Sequence, residues 1–210
     1  MRRLAFVALV LSLSASCGGD DQTAEDGGTS TASGPAEAST SPEQEAPQTT
    51  TTSLLGFDDG THRIGSDIQP DTYVTEGESG CYWARLSGFS GDLDDIIANE
   101  NPAGQAIVTV AASDAGFESK RCGRWTPLSG EPRSPARSFS EGTQAVGIHI
   151  TPGTYRSSGG EGCYLARLSG FSGELEHVLA NDNTGSPTVV SIAATDIGFT
   201  STRCGTWSAG

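Results

Sequence analysis

Three regimes of hydrophobic patterning divide the chain. Leu4 to Leu13 is an apolar run of ten residues, broken only by Ser12. From Gly18 to Gly56 apolar residues nearly vanish. From Phe57 onward they return as short runs and alternations, including Thr72 to Thr75, Cys81 to Leu86 and Ala106 to Ala111. Glycine or proline interrupts these runs about every ten residues, and β-branched and aromatic side chains fill them, which predicts short strands joined by turns. Leu93 to Ala98 reads as a helical turn. The fold class expected from Phe57 onward is all-β, a small sandwich or a partly open barrel.

This third regime is one unit written twice. Displaced by 82 positions, Phe57 to Trp125 lies on Phe139 to Trp207 without a gap, with 35 identities in 69 positions. The longest shared stretch runs from Cys81 to Gly91, matched by Cys163 to Gly173, and a second runs from Asp114 to Trp125, matched by Asp196 to Trp207. The implied organisation is a first β unit at 57–125, a spacer at 126–138 and a second β unit at 139–210. Pro127, Pro132 and Pro135 in the spacer favour an extended, semi-stiff chain.

Duplication resolves the cysteine count. Of five cysteines, each unit holds two, Cys81 with Cys122 and Cys163 with Cys204. One disulfide within each unit accounts for four, and Cys17 remains. Such a bridge would tie the central Cys81 strand to the last one. The long spacing does not suit zinc, whose ligands come in short Cys-x2–4-Cys pairs. A unit near 70 residues buries too little surface to be secure on its core alone, so a bridge closing a long loop is a large contribution.

The first regime is an export signal. Arg2 and Arg3 precede the apolar run, Ser14, Ala15 and Ser16 follow it, and Cys17 comes next. The run is too short to span a bilayer, which takes about 18 apolar residues or more. Residues 1–16 resemble the signal peptide of a bacterial lipoprotein. That resemblance implies a diacylglyceryl and acyl-bearing Cys17 as the mature N-terminus, anchored to the outer face of the cell membrane. Ser14 stands where such signals usually carry a large aliphatic residue; cleavage by ordinary signal peptidase would instead leave Cys17 a free thiol.

Residues 17–56 form a tether. Between Gly18 and Gly56 there are seven acidic residues and no lysine or arginine. With almost nothing to bury, this segment is expected to be disordered, with a reach of about 35 Å as a flexible coil.

Charge narrows the partners. Lys and Arg total 12 against 26 Asp and Glu, a formal net charge of −14. Nucleic acid is excluded as a partner, because neutralising phosphates takes basic side chains. Half of the acidity belongs to the tether and says little about a binding face.

The segment Ile150 to Arg156 (with Pro-Gly-Thr-Tyr-Arg at its centre), the Cys81-Tyr82-Trp83-Ala84-Arg85 strand and the stretch Ile96 to Asn101 resemble small secreted modules of Gram-positive bacteria, often lipoproteins. The resemblance covers both units and implies location and architecture, not an activity. Asp71 departs from the turn glycine, which is Gly153 in the second unit.

A site essential to both units should appear twice. His62, His149 and His177 align with Gln144, Asp67 and Asp95, so no histidine recurs. Neither a Gly-x-Ser-x-Gly elbow nor a phosphate-binding loop is present. Acids recur at Asp59/Glu141, Asp92/Glu174, Asp94/Glu176, Glu100/Asp182 and Asp114/Asp196. The Asp92 to Glu100 acids read as a solvated loop ahead of a calcium site, and neither a metal nor a cofactor is expected. Arg85/Arg167 and Arg121/Arg203 are the only basic residues common to both units. Their two readings are structural, an ion pair with Asp114/Asp196 or a stem over the disulfide, and functional, a fork for an anionic ligand group. Trp125 and Trp207 either cover the disulfides or stack on a ligand, and most of the shared aromatics (Tyr73, Tyr82, Phe89, Phe117 and Trp125 in the first unit) are expected in the core. Together these features point to a non-enzymatic, membrane-anchored binding module facing cell-wall glycan or another envelope protein. A structural envelope protein without a ligand is the alternative, and a small hydrolase the third reading.

Overall fold

The computed structural model describes residues 56–185 and 187–210. The signal segment, Cys17 and the tether up to residue 55 lie outside them. The first repeat has seven strands: β1 (Gly60–Arg63), β2 (Asp71–Thr75), β3 (Tyr82–Leu86), β4 (Ile96–Glu100), β5 (Ala106–Val110), β6 (Gly116–Lys120) and β7 (Thr126–Pro127). They form two antiparallel sheets, in the orders β1-β6-β3-β4 and β5-β2-β7. The second repeat has eight: β8 (Ser138–Phe139), β9 (Gly142–Ala145), β10 (Gly153–Ser157), β11 (Cys163–Leu168), β12 (Val178–Thr184), β13 (Val189–Ile192), β14 (Gly198–Thr202) and β15 (Trp207–Ala209). Their sheets run β12-β11-β14-β9 and β13-β10-β15-β8. The expected all-β class holds: no α-helix occurs among the described residues, and no sheet closes into a barrel. The helical reading of Leu93 to Ala98 is corrected in part. Leu93–Asp95 is a single 3-10 turn, and Ile96 onward is strand β4.

Each repeat encloses an aromatic core between its sheets. In the first, Phe57, Tyr73, Trp83, Phe117 and Trp125 pack around the Cys81–Cys122 bridge. In the second, Phe139, Tyr155, Phe199 and Trp207 surround Cys163–Cys204. Both bridges form as expected, but Cys122 follows β6, the penultimate strand. The disulfide therefore staples the ends of β3 and β6, which are hydrogen-bonded neighbours. Phe117 meets Trp125 edge-on at 5.3 Å between centroids, and Phe199 meets Trp207 in the same way at 5.1 Å. Such offset geometry follows the ring quadrupoles.

The spacer is not a free linker. Thr126–Pro127 pairs with β2, Leu128 is buried, Ala136 bridges Ile150, and Ser138 belongs to β8. The two repeats belong to one compact unit. They share a third core of Val74, Ile107 and Leu128 with Ala145 and Phe171.

This packing is asymmetric, and the burial patterns show it. β9 is buried at all four positions, whereas its counterpart β1 alternates between half-buried and exposed. β5 is buried on both faces, whereas β13 shows the one-sided alternation of an exposed edge. The 171–174 loop of the second repeat docks on the edge of β5, where the Thr109 N–H donates to the Phe171 carbonyl at 2.8 Å. The Thr143 N–H donates to the Gln105 carbonyl at 2.7 Å on the same edge. Phe171 is 6% exposed there; its counterpart Phe89, one of the aromatics expected mostly in the core, is 46% exposed.

Gly173 packs directly against a core side chain of the first repeat. A Cβ there would lie 2.6 Å from Cη2 of the buried Trp83, whereas one on its counterpart Gly91 would meet nothing within 4 Å. Both glycines have positive φ, +80° and +86°. The backbone cost of alanine is therefore common to both, and Gly173→Ala adds overpacking of about 1–3 kcal/mol. Chemical denaturation should find Gly173→Ala less stable than Gly91→Ala by that margin.

Candidate functional site

The shared arginines occupy two different environments. Arg85, on β3, is buried, with 5% of its side chain exposed. Its Nε and Nη2 donate to both oxygens of Asp114 at 2.8 Å. Its Nη1 donates across the repeat boundary to the Ser172 carbonyl at 2.8 Å and to Glu174 Oε2 at 2.9 Å. The hydrogen bonds from Asp114 raise the Arg85 pKa above its ordinary value, against the opposing effect of burial. Arg167 repeats the bidentate pair with Asp196, at 2.7 and 2.8 Å, and this pair holds the Asp196 carboxyl below the usual range. The structural reading of these arginines therefore describes their geometry, and Arg85 has no free edge for a ligand. Asp114 and Asp196, the acids a hydrolase would draw on, are both buried in these pairs.

Trp125 and Trp207 are fully buried, so neither stacks on a ligand. This corrects their place among the binding candidates. The two indoles and the acids near them differ in their partners. The shorter Asp59 accepts from Ser119 Oγ and from the Cys122 and Gly123 N–H groups, and the Trp125 indole N–H is left without a partner. Glu141 instead accepts from the Gly205 N–H, and Ser201 Oγ accepts from Trp207 Nε1 at 2.9 Å. Arg121 and Arg203 are exposed, and among the described residues they are the only non-glycine positions with positive φ, +54° and +58°. Their side chains lie over Gly80 and Gly162, beside the bridges; a Cβ at Gly80 would sit 3.0 Å from Arg121 Nη1. Gly80 and Gly162 directly precede the bridged Cys81 and Cys163.

The Asp92 to Asp95 acids lie in an exposed loop. Asp95 Oδ2 accepts from the Ser90 N–H at 2.6 Å and from its hydroxyl at 2.7 Å. Hydrogen bonding to Ser90 holds the Asp95 carboxyl below its ordinary range. In the second repeat His177 takes this place, with Nδ1 2.6 Å from Ser172 Oγ. This serine–histidine contact is not a nucleophile pair of the usual kind. The hydroxyl also accepts from the Glu174 N–H in a local turn, and among the described residues no carboxylate is bonded to the other ring nitrogen. Among the described residues no group of three or more His, Cys, Asp or Glu is placed to hold a metal.

A cleft of about 180 Å³ lies at the repeat boundary, and a hollow of about 240 Å³ lies at the counterpart positions of the first repeat, among them Thr61, Leu86, Gly91 and Glu118, without a wall from the other repeat. Asn99 and Glu100 line it from the first repeat, and Thr143, Tyr164, His177 and Thr200 from the second. Trp83 forms part of the wall, buried, with an indole N–H that has no partner. Burial raises the Glu100 pKa above its ordinary 4.5, and no partner offsets it. Sequence reasoning noted Trp83 only as apolar packing and did not single out Tyr164 as a site residue, because the wall that Trp83, Asn99 and Glu100 add depends on a contact that self-comparison of like positions cannot show.

His149 sits at the same boundary. Its Nδ1 accepts from the Ala145 N–H at 3.2 Å and lies 2.9 Å from Gln105 Nε2, so the proton of the neutral ring is on Nε2. Burial lowers its pKa below 6.5. A folded-state pKa below the unfolded value gives stability that is complete above about pH 6.5 and is lost as pH falls from there toward the folded value. Denaturation of wild type between pH 7 and 5 should show this loss. His149→Asn, which keeps an acceptor near the Nδ1 position, should show a smaller one.

These are paired, disulfide-stapled β modules of the kind built for an oxidising environment. The chain belongs to the Rv1352-like extracellular domain family, whose model matches residues 56–126 and 136–208 in tandem. That membership places the modules outside the cytoplasm. No curated protein and no solved structure matches the chain. Among the described residues no helix is long and apolar enough to cross a membrane.

Proposed function

We propose that this protein is a lipid-anchored, non-enzymatic binding module at the outer face of the cell membrane, with the inter-repeat cleft as its ligand site. The cleft carries the reading. It combines a half-exposed aromatic ring (Tyr164), amide and hydroxyl groups (Asn99, Thr143, Thr200) and one unpaired carboxylate (Glu100) in a volume suited to a single sugar-sized ring. Cell-wall glycan is the ligand class whose hydroxyls and ring faces this lining fits. Cys17 supplies the lipid attachment and residues 17–56 the reach away from the membrane. The counterpart hollow of the first repeat lacks the wall that Trp83, Asn99 and Glu100 give the cleft, so the two repeats do not offer equal sites.

The test uses the full chain carrying Cys17→Ser, which removes the lipid. Wild type at position 164 should be retained on purified cell-wall glycan, and Tyr164→Ala should lose at least tenfold in affinity. Equal retention of both, or retention of neither, would remove the cleft as the site. Intact mass of the native protein tests the lipid separately, because acylated and free Cys17 differ by hundreds of daltons.

A further inference from the structure

The contact between the repeats leaves two unpaired halves, one at each end of the molecule. In the interior, the loop of the second repeat and edge strand β9 meet the groove beside edge strand β5. The first repeat carries the same loop, Gly88 to Asp95, beside edge strand β1, with Phe89 and Leu93 exposed. The second repeat carries the same groove beside edge strand β13, with Val189 53% exposed at the place of Ile107. Ser191 pairs with Thr154 as Thr109 pairs with Thr72, so the Ser191 N–H faces outward as the Thr109 N–H does. Arg167 uses only Nε and Nη2 on Asp196. Its Nη1 is the group whose counterpart on Arg85 holds the docked loop, and its side chain is 30% exposed.

We propose that these halves dock between molecules, the Gly88–Asp95 loop of one copy entering the β13 groove of the next. The occupant is a second copy because the internal contact already shows this loop sequence seated in this groove. Charge supports the same pairing. The free loop carries Asp92, Asp94 and Asp95, where the docked loop has Glu174, Glu176 and His177. The free groove carries Arg156 as well as Arg167, where the occupied groove has Val74 and Arg85. An unpaired edge strand at each end adds main-chain groups able to bond.

The contact between copies is weaker than the internal one. Trp83 is replaced by Leu165 and Gln105 by Pro187. Arg63, which lies 5.1 Å over the Phe89 ring, stands where the internal contact has Ala145. A dissociation constant on the order of 100 µM is the expectation, a range in which co-anchoring on one surface supplies the missing concentration. The contact is head-to-tail, so it propagates along a row of molecules rather than closing into a twofold dimer.

Sedimentation velocity of the full chain with Cys17→Ser tests this independently of any glycan. The weight-average sedimentation coefficient of the otherwise wild-type chain should rise between about 10 µM and 1 mM, beyond the dimer value at the top. Phe89→Asp disables only the loop and Val189→Asp only the groove; both positions are exposed, so thermal midpoints should stay near wild type. Each variant alone should remain monomeric. An equimolar mixture should associate again and stop at the dimer, because each copy keeps one working end. A wild-type chain that stays monomeric to 1 mM would overturn the proposal, as would a Phe89→Asp chain that associates as wild type does.

Discussion

Replacing Arg85 with alanine should cost about 3–5 kcal/mol of folding stability, the range for removing one partner of a buried ion pair. The loss has two sources. Asp114, with 1% of its side chain exposed, would keep a buried charge with no cation beside it. The Ser172 carbonyl and Glu174 would lose the guanidinium that fixes the second repeat's loop to the first. Arg167→Ala should cost less by about 1–3 kcal/mol, because Arg167 is more exposed and holds no loop, and water can partly replace it. Urea denaturation of both variants measures the difference. Equal losses would mean that the docked loop adds nothing to the first pair.

Removing the first disulfide by Cys81→Ala with Cys122→Ala should cost about 2–5 kcal/mol, with about 4 kcal/mol from the chain-entropy model for a loop of this length. The bridge spans 41 positions and joins the ends of two strands that already pair, so the reduced chain must close that loop by hydrogen bonds and packing alone. The third core joins β2, β5 and Leu128 to Ala145 and Phe171, so the two repeats should unfold together. The expected record is a single cooperative transition shifted to lower denaturant. Two separated transitions, only one of them shifted, would show repeats that unfold independently.

Much of the fold was legible because it is local. Strand positions followed from short β-branched and aromatic runs bounded by glycine, and the disulfide pairs followed from duplication. The Arg85–Asp114 pairing was within reach because both residues recur in both copies. Three features were not legible, and all three depend on how the copies meet. Phe89 and Phe171 sit in identical stretches, Ser87 to Gly91 and Ser169 to Gly173, yet one is exposed and the other buried. No local pattern separates them, since order along the chain decides which loop finds a groove. The wall that Trp83 and Glu100 give the cleft at Tyr164 follows from that contact and was hidden with it. The spacer was read as a linker from its prolines, although Leu128 anchors it in the shared core.

One signal in the sequence did mark the boundary. The copies differ most in polarity at Val74 against Arg156, Ala145 against Arg63 and Ile148 against Ser66. In each pair the apolar member is in, or packed against, the shared core, and the polar member faces outward at a free end. Differences between repeats, rather than their identities, located the contact. A charged residue on an outer face is also how stacked repeats are kept soluble at their ends, and it tempers the contact between copies.

The central claim is that two copies of one module form a single asymmetric body, with the second repeat's loop seated against Trp83. The nuclear Overhauser effect between the Trp83 Hη2 proton and the Gly173 Hα protons, measured on the full chain, reports that contact directly. A strong cross-peak is expected, with none from Gly91 to Leu165. Absence of the Trp83–Gly173 cross-peak in assigned spectra would contradict it, and would leave the repeats as two separate modules on one tether.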